Sequence, residues 1–220
     1  MERVPFAIDE WYHCYTRGID KRKTFITRID YERFLGLLYI CNSSQIIHRS
    51  DLFHRSLDDI FAIDRKDQLI GVGAFCLMPN HYHLLLKEIR DGGISQFMRK
   101  LGTAYSMYFN IKYERAGNVF VKPFRSRRIR DDEYLQCAIQ YIHCNPAEIF
   151  EPGWKHGRVQ NLVHLEKKLI QYPYSSFRAF QEYSHPLRAL LDNSIFELES
   201  QLSPKEMIRD ARDYYAELSL

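Results

Sequence analysis

The stretch Met78-Pro79-Asn80-His81-Tyr82-His83-Leu84-Leu85-Leu86 decides how this chain is read. Leu84 to Leu86 suit a buried strand, and the apolar run from Leu69 to Leu77 suits another just before it. Met78-Pro79-Asn80 is short enough to join the two as an antiparallel hairpin. Residues i and i+2 of a strand point to the same face, so His81 and His83 can present two imidazoles to one cation while Tyr82 turns away. With nine histidines in 220 residues an accidental His-x-His is common, so the pair gains weight only from its company. That company is Tyr141-Ile142-His143-Cys144-Asn145-Pro146. On a helix, residues i and i+4 are neighbours, so Tyr141 and Asn145 can face the same cation, whereas His143 projects from another side.

Working outward from the hairpin, Trp11 to Thr16 alternates as a first strand, and Arg17-Gly18-Ile19-Asp20 carries turn chemistry. Thr27 or Asp30 caps a helix that runs from Tyr31 to about Cys41 and stops at Asn42-Ser43-Ser44. The stretch from His48 to Lys66 has no clear pattern. After Asp91-Gly92-Gly93, the spacing of Ile94, Phe97, Leu101, Tyr105, Tyr108 and Ile111 predicts a long amphipathic helix, ended by Gly117. Val119 to Ile129 reads as a fourth strand. Asp131-Asp132-Glu133 then favours a helix N-terminus through the helix dipole, and Pro146 closes the helix that carries Tyr141. This order predicts an α+β fold: a ferredoxin-like antiparallel sheet with helices packed on one face, the tyrosine helix added at its end, and a C-terminal helical extension. Residues 1–150 are expected to form the catalytic domain. Residues 151–220 are expected to pack on it as an extension, irregular at first and then helical, with Ser203-Pro204-Lys205-Glu206 starting the last helix.

At 45% hydrophobic the chain can bury a core without staples. Five cysteines, Cys14, Cys41, Cys76, Cys137 and Cys144, are odd in number and form no Cys-x-x-Cys, which argues against a disulfide framework or a structural zinc site. No apolar stretch approaches membrane-spanning length and no signal-peptide pattern opens the chain, so a cytoplasmic location is expected. The net charge of +3 says little by itself. Its distribution is uneven: Arg17, Lys21, Arg22 and Lys23 form one cluster, and Lys122, Arg125, Arg127, Arg128 and Arg130 another. A solvated strand edge explains either cluster as readily as phosphate binding does.

Two imidazoles and an amide oxygen leave open positions on a divalent ion, which then suits Lewis-acid chemistry on a phosphoryl group. A phenol suits the attacking role, but it titrates near pH 10 and needs help to lose its proton.

Beyond the two motifs already quoted, Tyr12-His13-Cys14-Tyr15-Thr16-Arg17-Gly18, Phe97-Met98-Arg99, Tyr105-Ser106-Met107-Tyr108-Phe109-Asn110, Gly117-Asn118-Val119-Phe120 and Tyr172-Pro173-Tyr174-Ser175-Ser176 complete a pattern. From about Phe6 to about Phe180 the chain resembles the HUH single-tyrosine transposases, in particular the branch called REP-associated tyrosine transposases. The resemblance implies a DNA-nicking and strand-transfer enzyme that acts on single-stranded DNA hairpins. It implies Mg2+ or Mn2+ on His81 and His83 with Asn145 completing the ligands, and Tyr141 as the nucleophile of a 5′-phosphotyrosine intermediate. With that substrate, Arg17, Lys21, Arg22, Lys23, Lys122, Arg125, Arg127 and Arg128 become candidates for phosphate contacts.

Relatives differ in assembly, so a monomer and a homodimer both stay open. Where relatives follow Asn-Pro with a valine, arginine, alanine, glycine run, this chain has Ala147-Glu148-Ile149-Phe150-Glu151, and the DNA contact at that place is not carried over. Neither His48 to Lys66 nor the chain from about His185 has a counterpart in the family pattern. The alternative reading is a domesticated hairpin-binding protein that has lost cleavage. A histidine-triad nucleotide hydrolase would need a third histidine where Leu85 stands.

Overall fold

The computed structural model describes residues 5–45, 55–197 and 204–218. The hairpin forms as its sequence dictates: β2 (Ile70–Met78) and β3 (His81–Glu88) pair antiparallel, with Met78 opposite His81 across a turn of Pro79 and Asn80. β1 (Trp11–Arg17) pairs with β3 on one side and with β4 (Arg125–Arg128) on the other, giving an antiparallel sheet of order β2-β3-β1-β4. The hairpin turn is tied to the end of β1. Gly18 donates its N–H to the Asn80 carbonyl at 2.7 Å, and Thr24 and Phe25 donate to the Pro79 carbonyl at 2.8 and 3.1 Å. These bonds fix where β3, and therefore His81, begins.

Alternation along the strands divides the chemistry between the two faces. On one face, α1 (Arg28–Ile40) and α3 (Gly93–Lys112) pack against the even-numbered side chains of β1 and β3; Tyr82, for example, meets Phe34 and Phe120 at ring separations of 4.9 and 5.0 Å. Helix α1 begins after Thr27, and Asp30 in its first turn accepts the Thr27 N–H at 2.8 Å, so both residues expected at this terminus take part. Asn42 stops the helix and locks it to the sheet: its Oδ1 accepts from the N–H groups of Leu69 and Ile70 at 2.9 and 3.0 Å. A short helix α2 (Leu57–Phe61) falls within the stretch that lacked a pattern; residues 48–54 of that stretch lie outside the described residues.

The opposite face carries His13, Tyr15, His81 and His83 and is covered by α4 (Asp132–Cys144) and the last helix. The chain then passes through α5 (Ala147–Phe150), α6 (Leu162–Gln171) and α7 (Phe177–Gln181), two short 3-10 segments, and α8 (Pro204–Leu218). Ser203, the expected cap of α8, lies outside the described residues. Tyr172-Pro173-Tyr174-Ser175-Ser176 lies along the free edge of β2: Leu77 N–H reaches the Tyr174 carbonyl at 2.9 Å, and Phe75 and Ser176 exchange hydrogen bonds. An open strand edge is thereby satisfied.

The fourth strand is shorter than expected. Gly18 bridges Phe120 and Val121 donates to the Arg17 carbonyl at 2.8 Å, but regular pairing holds only over Arg125–Arg128, because Pro123 has no N–H to offer the ladder. Its Lys122–Pro123 peptide is cis.

Candidate active site

Asp131 caps α4 by accepting the Tyr134 N–H at 2.7 Å, which sets the rotation of the helix that carries Tyr141. Asn145 follows the helix as its C-cap with φ −55° and ψ −39°, still helical although a proline comes next. Helical spacing from Tyr141 to Asn145 therefore survives to the end, and both face the histidine strand.

There the expected residues come together. The Tyr141 ring lies 5.4 Å from that of His83, the His81 and His83 rings are 5.1 Å apart, and His81 Nε2 is 3.3 Å from Asn145 Oδ1. His81 Nδ1 sits 2.7 Å from Asn80 Oδ1, which can only accept, so the ring proton belongs on Nδ1. His81 Nε2 then presents a lone pair to another acceptor, Asn145 Oδ1. Protonating the ring to relieve that opposition is disfavoured, because burial first and Lys155 as well hold the imidazole below its ordinary pKa, against smaller pulls from Asn145 and Glu148.

Two facing acceptors suit a shared cation. Neighbouring donors on an octahedral ion with bonds of about 2.0–2.1 Å lie roughly 3 Å apart, close to the separation seen here. His81 Nε2 and Asn145 Oδ1 fit a divalent ion in donor type and spacing, although no group of three or more His, Cys, Asp or Glu side chains suited to a metal exists among the described residues.

His83 is held by a residue that the sequence reading missed. His13 Nε2 lies 2.8 Å from His83 Nδ1, and His13 Nδ1 lies 3.0 Å from the Tyr214 hydroxyl on α8. Burial, helped by Arg127, pushes the His13 pKa down to about 3, and burial followed by the charges of His13, His81 and Lys155 pushes that of His83 down as well. Both rings are neutral, and neutral imidazole is the form that ligates. Tyr141 is 4% exposed, covered by the rings of Tyr214 and Tyr215 at 5.4 and 6.1 Å. Burial raises its pKa, while the Asn145 carboxamide beside it pulls the other way.

Beside His81 opens a cleft of about 350 Å3 lined by Tyr15, Arg17, Lys21, Asn80, Arg125, Glu148 and Lys155, among others. Of the expected basic residues, Arg17, Lys21 and Arg125 thus reach the site, while Lys23 and Lys122 are exposed elsewhere. Arg22 pairs with Asp20 at 3.1 Å. Arg127 is engaged by the backbone carbonyl and carboxylate of Glu217, and Arg128, on the opposite face, by Glu10 at 2.7 Å. Lys155, another residue the sequence reading missed, bonds Glu148 at 2.7 Å. His143 points away, to Ser176 Oγ at 2.9 Å in the core, as its helical position implied.

The family model described as transposase IS200 like matches residues 12–145, which span all four strands and both motifs. The chain belongs to the IS200-like transposases. Among solved structures, a REP-associated tyrosine transposase bound to a REP hairpin is similar in fold. Its TM-score is 0.50 at 16% identity, over 92% of this chain and 98% of that one. Among curated proteins none matches significantly. The ferredoxin-like architecture of this IS200-like transposase accords with that similarity, and no helix among its described residues is long and apolar enough to cross a membrane.

Proposed function

We propose that this transposase cuts and rejoins single-stranded DNA at hairpins of a mobile or repeated element, with Tyr141 as nucleophile and a divalent metal, Mg2+ or Mn2+, on His81, His83 and Asn145. The observation that carries the reading is the placement of the Tyr141 phenol against His83, one helical turn from the Asn145 oxygen that faces His81. The structurally similar REP-associated transposase, bound to a REP hairpin, supports a hairpin as the substrate.

In the first half-reaction the Tyr141 hydroxyl loses its proton, its oxygen attacks phosphorus, and the bond from phosphorus to the 3′ oxygen breaks. The products are a 5′-phosphotyrosine and, after protonation of the leaving oxygen, a free 3′-hydroxyl. Attack by a 3′-hydroxyl reverses the step and releases the phenol, so no ATP is consumed. A bound cation would polarise the phosphate and ease loss of the phenolic proton. Asn80 holds His81 with its Nε2 free, His13 would do the same for His83 when the His83 proton sits on Nδ1, and Arg17, Lys21, Arg125 and Lys155 supply positive charge along the DNA backbone. Because Tyr141 is so little exposed, the α8 side chains over it must move aside when DNA is seated.

The test is incubation with Mn2+ and labelled hairpin oligonucleotides built from repeats flanking the coding region, read as a protein–DNA adduct that survives denaturing gels. Tyr141→Phe should abolish the adduct and keep hairpin binding. An adduct that persists in this variant refutes the nucleophile. Hairpin binding by the unaltered protein with no adduct under any metal favours a domesticated binding protein.

A further inference from the structure

On the sheet face away from the histidines, a groove of about 490 Å3 runs between α3 and the irregular segment before β4. Met98, Phe120 and Phe124 make it apolar. Phe124 is backed by Phe6, whose ring lies parallel to it at 6.3 Å. Arg99 and Lys122 stand at the rim, both exposed and neither in an ion pair among the described residues. The groove shares Thr16, Val121 and Pro123 with the cleft beside His81, so the two hollows lie on either side of one wall.

Gly102 opens onto it from the middle of α3. A glycine inside a helix is unfavourable, and nothing in the packing demands this one: a Cβ built there meets no atom within 4 Å. The space a side chain would fill is groove. An apolar slot floored by aromatic and sulfur-bearing side chains, with a cation at its rim, matches the chemistry of a nucleotide: a flat π-face beside a phosphate.

We propose that this groove takes one unpaired base of the DNA, with Arg99 and Lys122 on the adjoining phosphates. The proposal rests on the DNA-binding part of the function above and is independent of cleavage. A strand passing over the Val121–Pro123 wall from the histidine cleft would insert a base here, so that base recognition and phosphate chemistry use opposite faces of one sheet.

Gly102→Leu projects an isobutyl group into the groove where Gly102→Ala adds only a methyl, and both favour the helix. The probes are fluorescein-labelled dT20 and a 20-mer of the same backbone without bases, titrated by anisotropy at low salt. The unaltered protein and Gly102→Ala should bind dT20 about tenfold more tightly than the abasic strand, the scale of one stacked base. Gly102→Leu should lose that preference with its abasic affinity unchanged. Circular-dichroism melts verify that both variants fold. Retained preference in Gly102→Leu overturns the proposal, as does equal weakening of both probes or the absence of any preference in the unaltered protein. Failure of all binding to either probe would sink the DNA reading as well, whereas a missing tyrosine adduct with the preference intact would sink cleavage alone.

Discussion

Replacing His13 by phenylalanine isolates the part that the structure assigns to a residue with no direct role at the phosphate. A neutral imidazole has one N–H, so the chain from His83 to His13 to Tyr214 can run in only two directions. If His83 is to offer Nε2 to a cation, its proton sits on Nδ1 and is donated to His13 Nε2, and the His13 proton on Nδ1 is donated to the Tyr214 oxygen. His13→Phe keeps the ring volume in a fully buried position but removes the acceptor, leaving a buried N–H unpaired. Such a loss costs about 1–3 kcal/mol. It matches the usual cost of losing a residue that orients a metal ligand, about 10–100-fold in affinity or roughly 1.4–2.7 kcal/mol. Calorimetric titration with Mn2+ should therefore give an affinity about 10–100-fold weaker for His13→Phe. For Tyr214→Phe, which removes one bond between neutral groups, the loss should be about fivefold, or roughly 1 kcal/mol. His81→Ala should remove binding. If His13→Phe binds Mn2+ like the unaltered protein while His81→Ala does not, the tautomer argument is wrong.

Two further predictions concern charge. Asp30 is fully buried and accepts from Lys112 at 2.6 Å, from Tyr108 and Tyr113 at 2.7 Å each, and from the Thr27 N–H. Burial alone would raise its pKa, but these bonds together hold it below the usual carboxylate range. A depressed folded pKa means that the stabilisation is complete above the unfolded value and is lost as pH falls below about 4. Asp30→Ala should cost about 3 kcal/mol near neutral pH, a melting shift of roughly 6–12 °C for a chain of this size, and should flatten the acid limb of a stability–pH curve. An unchanged acid limb would refute the assignment. Among the basic residues, Arg125→Gln should lower the dependence of log affinity on log salt by about 0.7 for single-stranded DNA, because its side chain lines the cleft. Arg128→Gln should leave that slope unchanged, since its side chain is paired with Glu10 on the far face; equal effects would place the strand elsewhere.

Local pattern carried most of the architecture. The Leu69–Leu86 hairpin, the stripe of α3 and the acidic start of α4 each follow from residues close together in sequence; the hairpin strands and both helix starts formed within a residue or two of expectation, while α3 ends at Lys112, short of the expected stop at Gly117. The fourth strand did not, because alternation continues through Val119–Phe124 while Pro123 cannot donate to a ladder. Periodicity reports side-chain polarity; it is blind to a missing backbone N–H.

The site divides along the same line. His81 with His83, and Tyr141 with Asn145, are spaced within single elements, so their shared faces were legible before any fold was known. His13 was visible as a residue but not as a partner: its contact with His83 depends on the register that sets Tyr15 opposite His83 and His13 opposite Leu85, and no local spacing encodes that register. Lys155 was still further from reach. Glu148 stands in the run where relatives carry a basic residue, and in isolation it argues against phosphate there. In the folded chain it binds Lys155, and the two together line the cleft beside His81. On the proposed function, positive charge at this position would come from Lys155, in the turn after α5, with the Glu148 carboxylate fixing where its ammonium stands. Glu148 would then act as a positioning residue, and its substitution would free Lys155 as well as remove a repulsion.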